Sequence, residues 1–297
     1  MAGASRYPLS SQHIHVPGLI RIFSDLHYGD RASRLRSLGQ LDPLLEGVEQ
    51  LILNGDTFDT RPSSHPQQTA RIRAETTAYF ASSAPTVTHL TGNHDPDISA
   101  HHSLDLAGGH IFVTHGDILF EDVVPWGRDT DYFTTRINRD LAALDEKSRH
   151  QLDSRLTITR AACLGLPQGH QAEPNPFKYA LQVAADNIWP PQRSLRILRA
   201  WQETPARAAA IAARHRPAAR FMLIGHTHRP GVWTTPSGLT VINTGSLSRP
   251  FGALAVDLNP TQLTVRRIVA RAGNFLPGPV IAEFALAETP ASAKIPT

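Results

Sequence analysis

Five short polar motifs constrain this chain most, because each one follows directly after an apolar run. The runs are Leu19–Phe23, Leu51–Leu53, Thr86–Leu90, Ile111–Val113 and Phe221–Ile224, and a sixth run covers Leu239–Ile242. The motifs after the first five runs contain Asp25 and His27, Asp56, Asn93 and His94, His115, and His226 and His228. Short apolar runs beside turn residues are typical of buried β-strands. The motifs therefore stand at the carboxyl ends of predicted strands.

The order of the predicted elements favours a layered α/β (α+β) core. Two segments between the first three strands suit helices, Leu41–Gln50 and Pro66–Ser82. Later, Ala253–Leu258 and Gln262–Ile268 predict an antiparallel hairpin. Ligands of open α/β sheets bind outside the carboxyl ends of the strands. We therefore expect the five motifs to meet at one rim of the fold.

Residues 121–217 show a different pattern from their flanks. Helical spacing joins Phe133, Ile137, Leu141 and Leu144, and Phe177–Ile188 and Leu195–Trp201 are also predicted helices, with Pro205 among the prolines that separate the pieces. We predict a core of residues 1–120 and 218–286, a mainly helical cap insertion at 121–217, and a loose tail at 287–297.

The charge distribution bears on the substrate. The net charge is +3, and residues 121–217 hold 14 Lys and Arg against 11 Asp and Glu, while the rest of the chain holds 15 of each. So mild an excess gives no strong signal for nucleic acid. Seven arginines of the insertion could bind a second substrate phosphate, although for any single one of them a solvated helical face is the favoured explanation: Arg128, Arg136, Arg139, Arg155, Arg160, Arg193 and Arg196.

The cellular compartment is suggested by what the sequence lacks. Cys163 is the only cysteine, so an intramolecular disulfide is excluded and a reducing compartment fits. The N-terminus has no charged start followed by a long apolar run, and no apolar stretch reaches the roughly 18 residues of a membrane span. We expect a cytoplasmic protein without a transmembrane segment.

The donor atoms of the motifs indicate a metal site. They offer carboxylate oxygen, amide oxygen and imidazole nitrogen, and no thiolate. This set suits divalent or trivalent Mn, Fe, Co, Ni or Zn rather than Ca. One strand-end Asp alone is more often a helix cap than a ligand. Five donor-bearing motifs at equivalent positions favour a shared metal site.

The motifs together resemble those of the calcineurin-like metallophosphoesterase family. The matching blocks, in the family's order, are Asp25-x-His27, Gly55-Asp56-x-x-Asp59, Gly92-Asn93-His94-Asp95, Thr114-His115-Gly116-Asp117 and Gly225-His226-Thr227-His228. The resemblance implies a metallophosphoesterase-type β-sandwich flanked by helices, with two metal ions at the strand ends and manganese as the metal that suits assays best. It implies that Asp25, His27, Asp56 and His228 hold one ion, and that Asp56, Asn93, His115 and His226 hold the other.

The same resemblance implies roles for two further residues. His94 would donate to a phosphoryl oxygen or protonate the leaving group, and Asp59 would orient the imidazole and raise its pKa. Asp59 as an ordinary helix cap is the alternative. The expected reaction is attack of a metal-activated hydroxide on a phosphate ester or phosphoanhydride of a small, or nucleotide-linked, substrate.

Three other functions stay open at this point. The UDP-2,3-diacylglucosamine hydrolases of lipid A synthesis have a helical cap in this interval and a similar Gly225–Pro230 block, but they usually carry Arg where this chain has His94. A non-catalytic scaffold with the same fold is a second alternative, although every motif residue is present. A nuclease is the third, and the modest charge argues against it.

Overall fold

The structure is a computed structural model that describes residues 18–83, 85–168, 175, 177, 178, 181 and 191–286. The predicted tail at 287–297 and most of the helix predicted at Phe177–Ile188 lie outside the described residues.

The described part of the chain contains eleven strands, which form two mixed sheets. They are β1 Ile20–Phe23, β2 Gln50–Asn54, β3 Thr86–Leu90, β4 Ser103–Leu106, β5 Ile111–Thr114, β6 Phe221–Ile224, β7 Gly231–Thr234, β8 Thr240–Asn243, β9 Ala253–Leu258, β10 Gln262–Arg271 and β11 Asn274–Ala285. The first sheet has the order β11-β10-β9-β1-β2-β3 and the second has the order β4-β5-β6-β8-β7. The hairpin expected at β9 and β10 is confirmed, since these strands pair antiparallel.

Each sheet contains a parallel set of three strands. In the first sheet, β1 pairs with β2 and β2 with β3 in parallel. In the second sheet, β5 pairs with β6 and β6 with β8 in parallel. The carboxyl ends of parallel strands meet at one edge of a sheet, so all five motifs leave the sheets at such edges.

The two sheets pack face to face around an apolar core. Ile22 and Ile52 of the first sheet share this core with Val113, Leu223 and Ile242 of the second. Side chains alternate along a strand, so neighbours such as Phe23 and Leu51 point to the outer face of the first sheet and pack beneath helices there. The expected β-sandwich with flanking helices is confirmed.

Six α-helices flank the sandwich: α1 Asp42–Leu45, α2 Pro66–Ser82, α3 Thr130–Ala142, α4 Glu146–Arg149, α5 Leu152–Leu164 and α6 Pro191–His215, counting only the part of the chain that the structure describes. Leu156 of α5 and Ala208 of α6 pack with Met222 and Val241 on the outer face of the second sheet. Four of these helices thus lie between β5 and β6 in sequence. The division of the chain at residues 121 and 217 stays a prediction.

Two local predictions are wrong. The helix expected over Leu41–Gln50 ends at Leu45, because Gly47 adopts a left-handed φ of 71° and Gln50 begins β2. Pro205 does not separate two helices but lies inside α6. A proline inside a helix leaves the carbonyl four residues earlier without its donor. That carbonyl belongs to Trp201, and it accepts a hydrogen bond from Arg229 Nη1 at 3.2 Å.

None of the described helices combines the length and the apolar character that crossing a membrane requires.

Candidate metal centre

The loops at the strand ends have unusual backbone dihedral angles at the predicted ligand residues. Five of the predicted ligand residues have positive φ: Asp25 (55°), His27 (46°), Asp56 (55°), His226 (65°) and His228 (56°). Non-glycine residues rarely adopt this region, and each such residue costs about 1–3 kcal/mol unless its surroundings impose it. The concentration of strained residues at one rim indicates a site whose side-chain directions are fixed by the fold.

Hydrogen bonds between the loops impose these conformations. The backbone N–H of Asp25 donates to Gly55 O, and that of His27 donates to Asp56 O, both at 3.0 Å. The buried carboxylate of Asp95 accepts from the N–H groups of Asp56 (2.9 Å), Thr57 (2.7 Å) and Gly92 (2.7 Å). Burial and the neighbouring Asp56 raise the pKa of Asp95 to about 7. Asp95 therefore ties the second and third loops together.

Two glycines allow the loops to approach the carboxylates. A Cβ at Gly92 would meet Asp56 Oδ1 and would lie 2.5 Å from Asp56 N. A Cβ at Gly225 would meet Asp25 Oδ2 and the Ser24 side chain. No larger residue fits at either position without displacing a predicted ligand.

One half of the cluster joins Asp25, His27, His228 and Asp56. His228 Nε2 lies 3.1 Å from both Asp25 Oδ1 and His27 Nε2. His27 Nε2 also lies 3.8 Å from Asp25 Oδ1 and 3.7 Å from Asp56 Oδ2. The donor atoms of Asp25, His27 and His228 lie within 4.8 Å of one another. Three of the predicted donors of one ion thus lie close together, and Asp56 adjoins them through His27.

The other half joins Asp56, Asn93, His115 and His226. Asn93 Oδ1 lies 3.2 Å from His115 Nε2 and 2.8 Å from His226 Nδ1, and His115 Nε2 lies 3.3 Å from Asp56 Oδ2. Asp56 Oδ2 thus faces a histidine of each half, His27 and His115. The structure brings together all seven residues that the sequence predicts as ligands.

The outer nitrogens of His115 and His226 have backbone partners. His115 Nδ1 lies 2.9 Å from Asn54 O, and His226 Nε2 lies 2.7 Å from Val123 O. Because a carbonyl only accepts, each of these nitrogens carries a proton and donates, so the opposite nitrogen is the one that could bind a metal ion. Val123 is β-branched and has φ 61°, a backbone conformation that is energetically unfavourable for such a residue. In this conformation its carbonyl lies 2.7 Å from His226 Nε2. Sequence patterns gave no signal for Val123.

The electrostatics of the cluster suit a cation. Asp25 and Asp56 are 0% and 1% exposed, and in the part of the chain that the structure describes their ion-pair partners are histidines. Burial works against the pKa shift of His27, but hydrogen bonding to Asp25 and the charge of Asp56 raise it to about 9. Burial likewise opposes the shift of His115, whose pKa Asp56 raises to about 10. Bound metal ions would replace these protons, because a ligating imidazole must be neutral.

His94 borders the cluster, and one of its ring nitrogens lies within 4.8 Å of donor atoms of His27 and Asp56. Its Nδ1 lies 2.9 Å from Asp59 Oδ2, and its ring stands edge-on to that of His27 with centroids 5.1 Å apart. Arg61 donates to Asp59 through Nε (3.0 Å) and Nη2 (2.6 Å), and Arg61 Nη2 lies 2.9 Å from His94 Nδ1. Sequence reasoning missed Arg61, which stands outside every motif.

The pKa of His94 reflects opposing effects of its surroundings. Burial and the charge of Arg61 lower it below its usual value and outweigh the two carboxylates, Asp56 and Asp59, which act in the opposite direction. Asp59 itself acts in the expected direction, and the net decrease comes from burial and from Arg61, neither of which the sequence indicated.

A family model describes most of the chain. The model of the calcineurin-like phosphoesterases matches residues 19–230, which include all nine predicted site residues. The chain belongs to this family. No curated protein matches it.

Two solved structures with a similar fold illustrate what this chain resembles. An uncharacterised protein from Streptococcus pneumoniae, described as a predicted phosphoesterase, is 16% identical with a TM-score of 0.37, over 91% of this chain and 98% of that chain. A dimetal phosphatase from Danio rerio is 13% identical with a TM-score of 0.42, over 85% of this chain and 96% of that one. At such TM-scores the likeness carries no argument about function.

Several arginines of residues 121–217 form ion pairs and hydrogen bonds within this protein. Arg160 is 3% exposed and donates to Asp117 and, through Nε at 2.7 Å, to Thr91. Arg136 and Arg139 both donate to Asp140. For Arg160 the expectation of a substrate contact is wrong, because its guanidinium is buried in an ion pair.

Other residues of the insertion contact the loops of the site directly. The Gln168 side chain donates to the carbonyls of Asp59 and Arg61, both at 3.0 Å. Trp201 Nε1 donates to Thr227 O at 2.8 Å, between His226 and His228. The Trp126 ring lies 5.4 Å from the His226 ring. The insertion is therefore attached to the loops on both sides of the predicted metals.

Proposed function

We propose that this protein is a dinuclear metal-dependent hydrolase of phosphate esters or phosphoanhydrides. The single observation that supports this most is the position of Asp56 Oδ2, which faces His27 at 3.7 Å and His115 at 3.3 Å, one histidine from each half of the cluster. A carboxylate can serve two cations because it offers several lone pairs on anionic oxygens.

The chain's donors fit two ions of the kind that the family uses. Asp25, His27, Asp56 and His228 would hold one, and Asp56, Asn93, His115 and His226 would hold the other. The oxygen and nitrogen donors favour Mn, Fe, Zn, Co or Ni. When bound, such ions stabilise charge on a phosphoryl group and lower the pKa of a water molecule.

The chain itself supplies the proton chemistry at His94. With Nδ1 held by Asp59 and Arg61, the imidazole presents Nε2 as its remaining nitrogen. Asp59 keeps its negative charge: burial opposes that charge, but hydrogen bonds from His94 and Arg61 hold the pKa of Asp59 well below its usual range. In its imidazolium form, His94 carries a proton on Nε2 that can pass to the departing oxygen of the substrate.

A scaffold without activity and a lipid A hydrolase make different predictions. A scaffold needs no proton donor, whereas here His94 Nδ1 is held by two charged partners, Asp59 and Arg61. The lipid A branch usually carries arginine at this position, and this chain has His94 there. A small phosphorylated molecule is the substrate class that we propose.

The test is a metal-reconstitution assay on the full chain. Purified protein is stripped with chelator, reloaded with Mn²⁺, and assayed against phosphomonoesters, phosphodiesters and nucleotide-linked pyrophosphates. We expect hydrolysis that chelation removes and Mn²⁺ restores. Tight metal binding with no hydrolysis of any of the three classes would support the scaffold instead.

A further inference from the structure

The loop after β6 carries one predicted ligand of each metal ion. His226 Nδ1 lies 2.8 Å from Asn93 Oδ1 in one half of the cluster. His228 Nε2 lies 3.1 Å from Asp25 Oδ1 in the other half. Only Thr227 separates the two histidines, and both have positive φ, which residues other than glycine keep only where their surroundings impose it. Contacts to this loop therefore bear on both halves of the predicted centre.

On the side of the sheets, hydrogen bonds hold Thr227 by its N–H and its hydroxyl. Asn243 Nδ2, at the end of β8, donates to Gly225 O at 2.9 Å and to Thr227 Oγ1 at 2.8 Å. The N–H of Thr227 donates to Gly225 O at 2.7 Å. The Thr227 carbonyl has its partner elsewhere, in the insertion.

Trp201 of α6 is that partner. Its indole Nε1 donates to Thr227 O at 2.8 Å. In the reverse direction, Arg229 Nη1 donates to Trp201 O at 3.2 Å. This carbonyl can accept from Arg229 because Pro205, four residues later in the helix, has no N–H to donate to it. The helix and the loop thus exchange two hydrogen bonds at one residue.

Ring contacts strengthen the same attachment. The guanidinium carbon of Arg229 lies 5.8 Å from the ring centre of Trp201 and 5.4 Å from that of Trp233. The Trp201 ring stands edge-on to Phe251 with centroids 6.2 Å apart, and the Phe251 ring lies 5.5 Å from that of His228. Contacts of aromatic rings with one another and with cations favour particular relative positions of the groups. Through Phe251, Trp201 therefore has a second connection to the loop, at His228.

We propose that Trp201 is a positioning residue of the metal centre, through which the insertion holds His226 and His228 in the directions that metal binding requires; this rests on the dinuclear function proposed above. Trp201 is not itself a ligand, because an indole N–H only donates. Removing a group that orients metal ligands typically costs about 10–100-fold in metal affinity. Because Thr227 stands between the two histidines, the loss affects both ions.

A purely structural role for Trp201 makes a different prediction. If Trp201 only attached the insertion to the core, its loss would lower stability. It would leave metal binding unaffected, because all seven predicted ligands lie outside residues 121–217. Metal affinity measured together with stability therefore separates the two roles.

The first test compares Trp201→Phe with Tyr132→Phe in the full chain. Trp201→Phe keeps an aromatic ring but has no N–H for Thr227 O. Tyr132→Phe is the matched control, because it also removes one hydrogen bond from an aromatic side chain to a backbone carbonyl, that of Ala162 within the insertion. Chelator-stripped protein is titrated with Mn²⁺ by calorimetry, and its thermal midpoint is measured before metal is added.

We expect Trp201→Phe to weaken Mn²⁺ binding by roughly 10–100-fold, and Tyr132→Phe to bind Mn²⁺ as wild type does. Wild-type affinity in Trp201→Phe would overturn the positioning role. An equal loss of affinity in Tyr132→Phe would also overturn it, because the effect would then follow from any weakened contact of the insertion.

A second variant moves stability and metal affinity in opposite directions. Pro205→Ala supplies an N–H four residues after Trp201, which competes with Arg229 for the Trp201 carbonyl. Alanine also suits a helix interior much better than proline does. We therefore expect an equal or higher thermal midpoint together with weaker Mn²⁺ binding. Wild-type Mn²⁺ affinity in Pro205→Ala would overturn the exchange of hydrogen bonds as the positioning device.

Phosphoester hydrolysis by the same samples keeps this inference apart from the proposed function. Active wild type whose Mn²⁺ affinity is unchanged in Trp201→Phe would overturn the role of Trp201 alone. Wild type that binds Mn²⁺ but hydrolyses no phosphoester would overturn the phosphoesterase function alone, because the affinities of the variants still report on the positioning of the ligands.

Discussion

Arg61 Nη2 lies 2.9 Å from His94 Nδ1, at the same nitrogen that lies 2.9 Å from Asp59 Oδ2. This nitrogen therefore has a donor and an acceptor beside it. A neutral imidazole with its proton on Nε2 can accept from Arg61, and an imidazolium can donate to Asp59. We propose that Arg61 acts on the reaction through His94, as a positioning residue.

We predict that Arg61→Met slows turnover by about tenfold and leaves metal content unchanged; this is less than the roughly 10²–10⁴-fold that a general acid contributes, because His94 itself is retained. The loss should be larger for alkyl phosphates than for nitrophenyl phosphate, because a poor leaving group depends most on its proton. Arg71→Met is the matched control, since Arg71 is an exposed arginine on α2 that pairs with Glu75. Equal losses for both types of ester would show that Arg61 only supports the fold.

We predict that His94→Gln retains wild-type metal content and lowers kcat by about 10²–10⁴-fold for alkyl esters, as loss of a general acid does. Glutamine keeps a polar side chain but has no transferable proton. The measurement is a plot of log kcat against leaving-group pKa, which should be steeper than for wild type. Parallel plots would assign His94 to phosphoryl binding.

We predict that Gly92→Ala abolishes binding of the metals, because the added Cβ would meet Asp56. Gly252→Ala is the control: a Cβ there has nothing within 4 Å and Gly252 has no positive φ. Calorimetric titration of both variants with Mn²⁺ checks the difference. Normal affinity in Gly92→Ala would mean that the second and third loops separate without loss of the site.

We predict that Arg160→Met destabilises the protein by about 3–5 kcal/mol, because it leaves the buried Asp117 without its cation. Arg139→Met, at an exposed ion pair with Asp140, should cost at most about 1 kcal/mol. Denaturant unfolding of the metal-free protein gives both values. Similar midpoints for the two variants would contradict the structural role of Arg160.

The sequence predicted the rim because the rim residues directly follow apolar strands, and this pattern is visible over a few neighbouring residues. A strand of the β1 or β2 type has apolar residues on both faces, and the residue after it leaves the sheet at the edge where ligands bind. The positions of Asp25, Asp56 and His226 follow from that rule alone. The assignment of the seven predicted ligands to two metal ions came from the family resemblance, because the spacing of the residues does not indicate it.

The rest depends on contacts between distant segments. Arg61 and His94 are 33 residues apart in sequence. Gln168, whose side chain donates to the Asp59 carbonyl, is 109 residues from Asp59. The burial of Arg160 likewise depends on where α5 packs. Edge strands β4 and β7 were missed because they are short and half-buried, so they lack a continuous apolar run.

The most direct measurement is the metal content of wild type and Asp56→Asn, determined by mass spectrometry after dialysis against Mn²⁺. Asparagine keeps the size of Asp56 but removes the negative charge that faces His27 and His115. We predict about two equivalents in wild type, as in two-metal sites generally, and a loss of most bound metal together with activity in the variant. Near-normal metal content and turnover in Asp56→Asn would contradict a bridging role and, with it, the dinuclear centre.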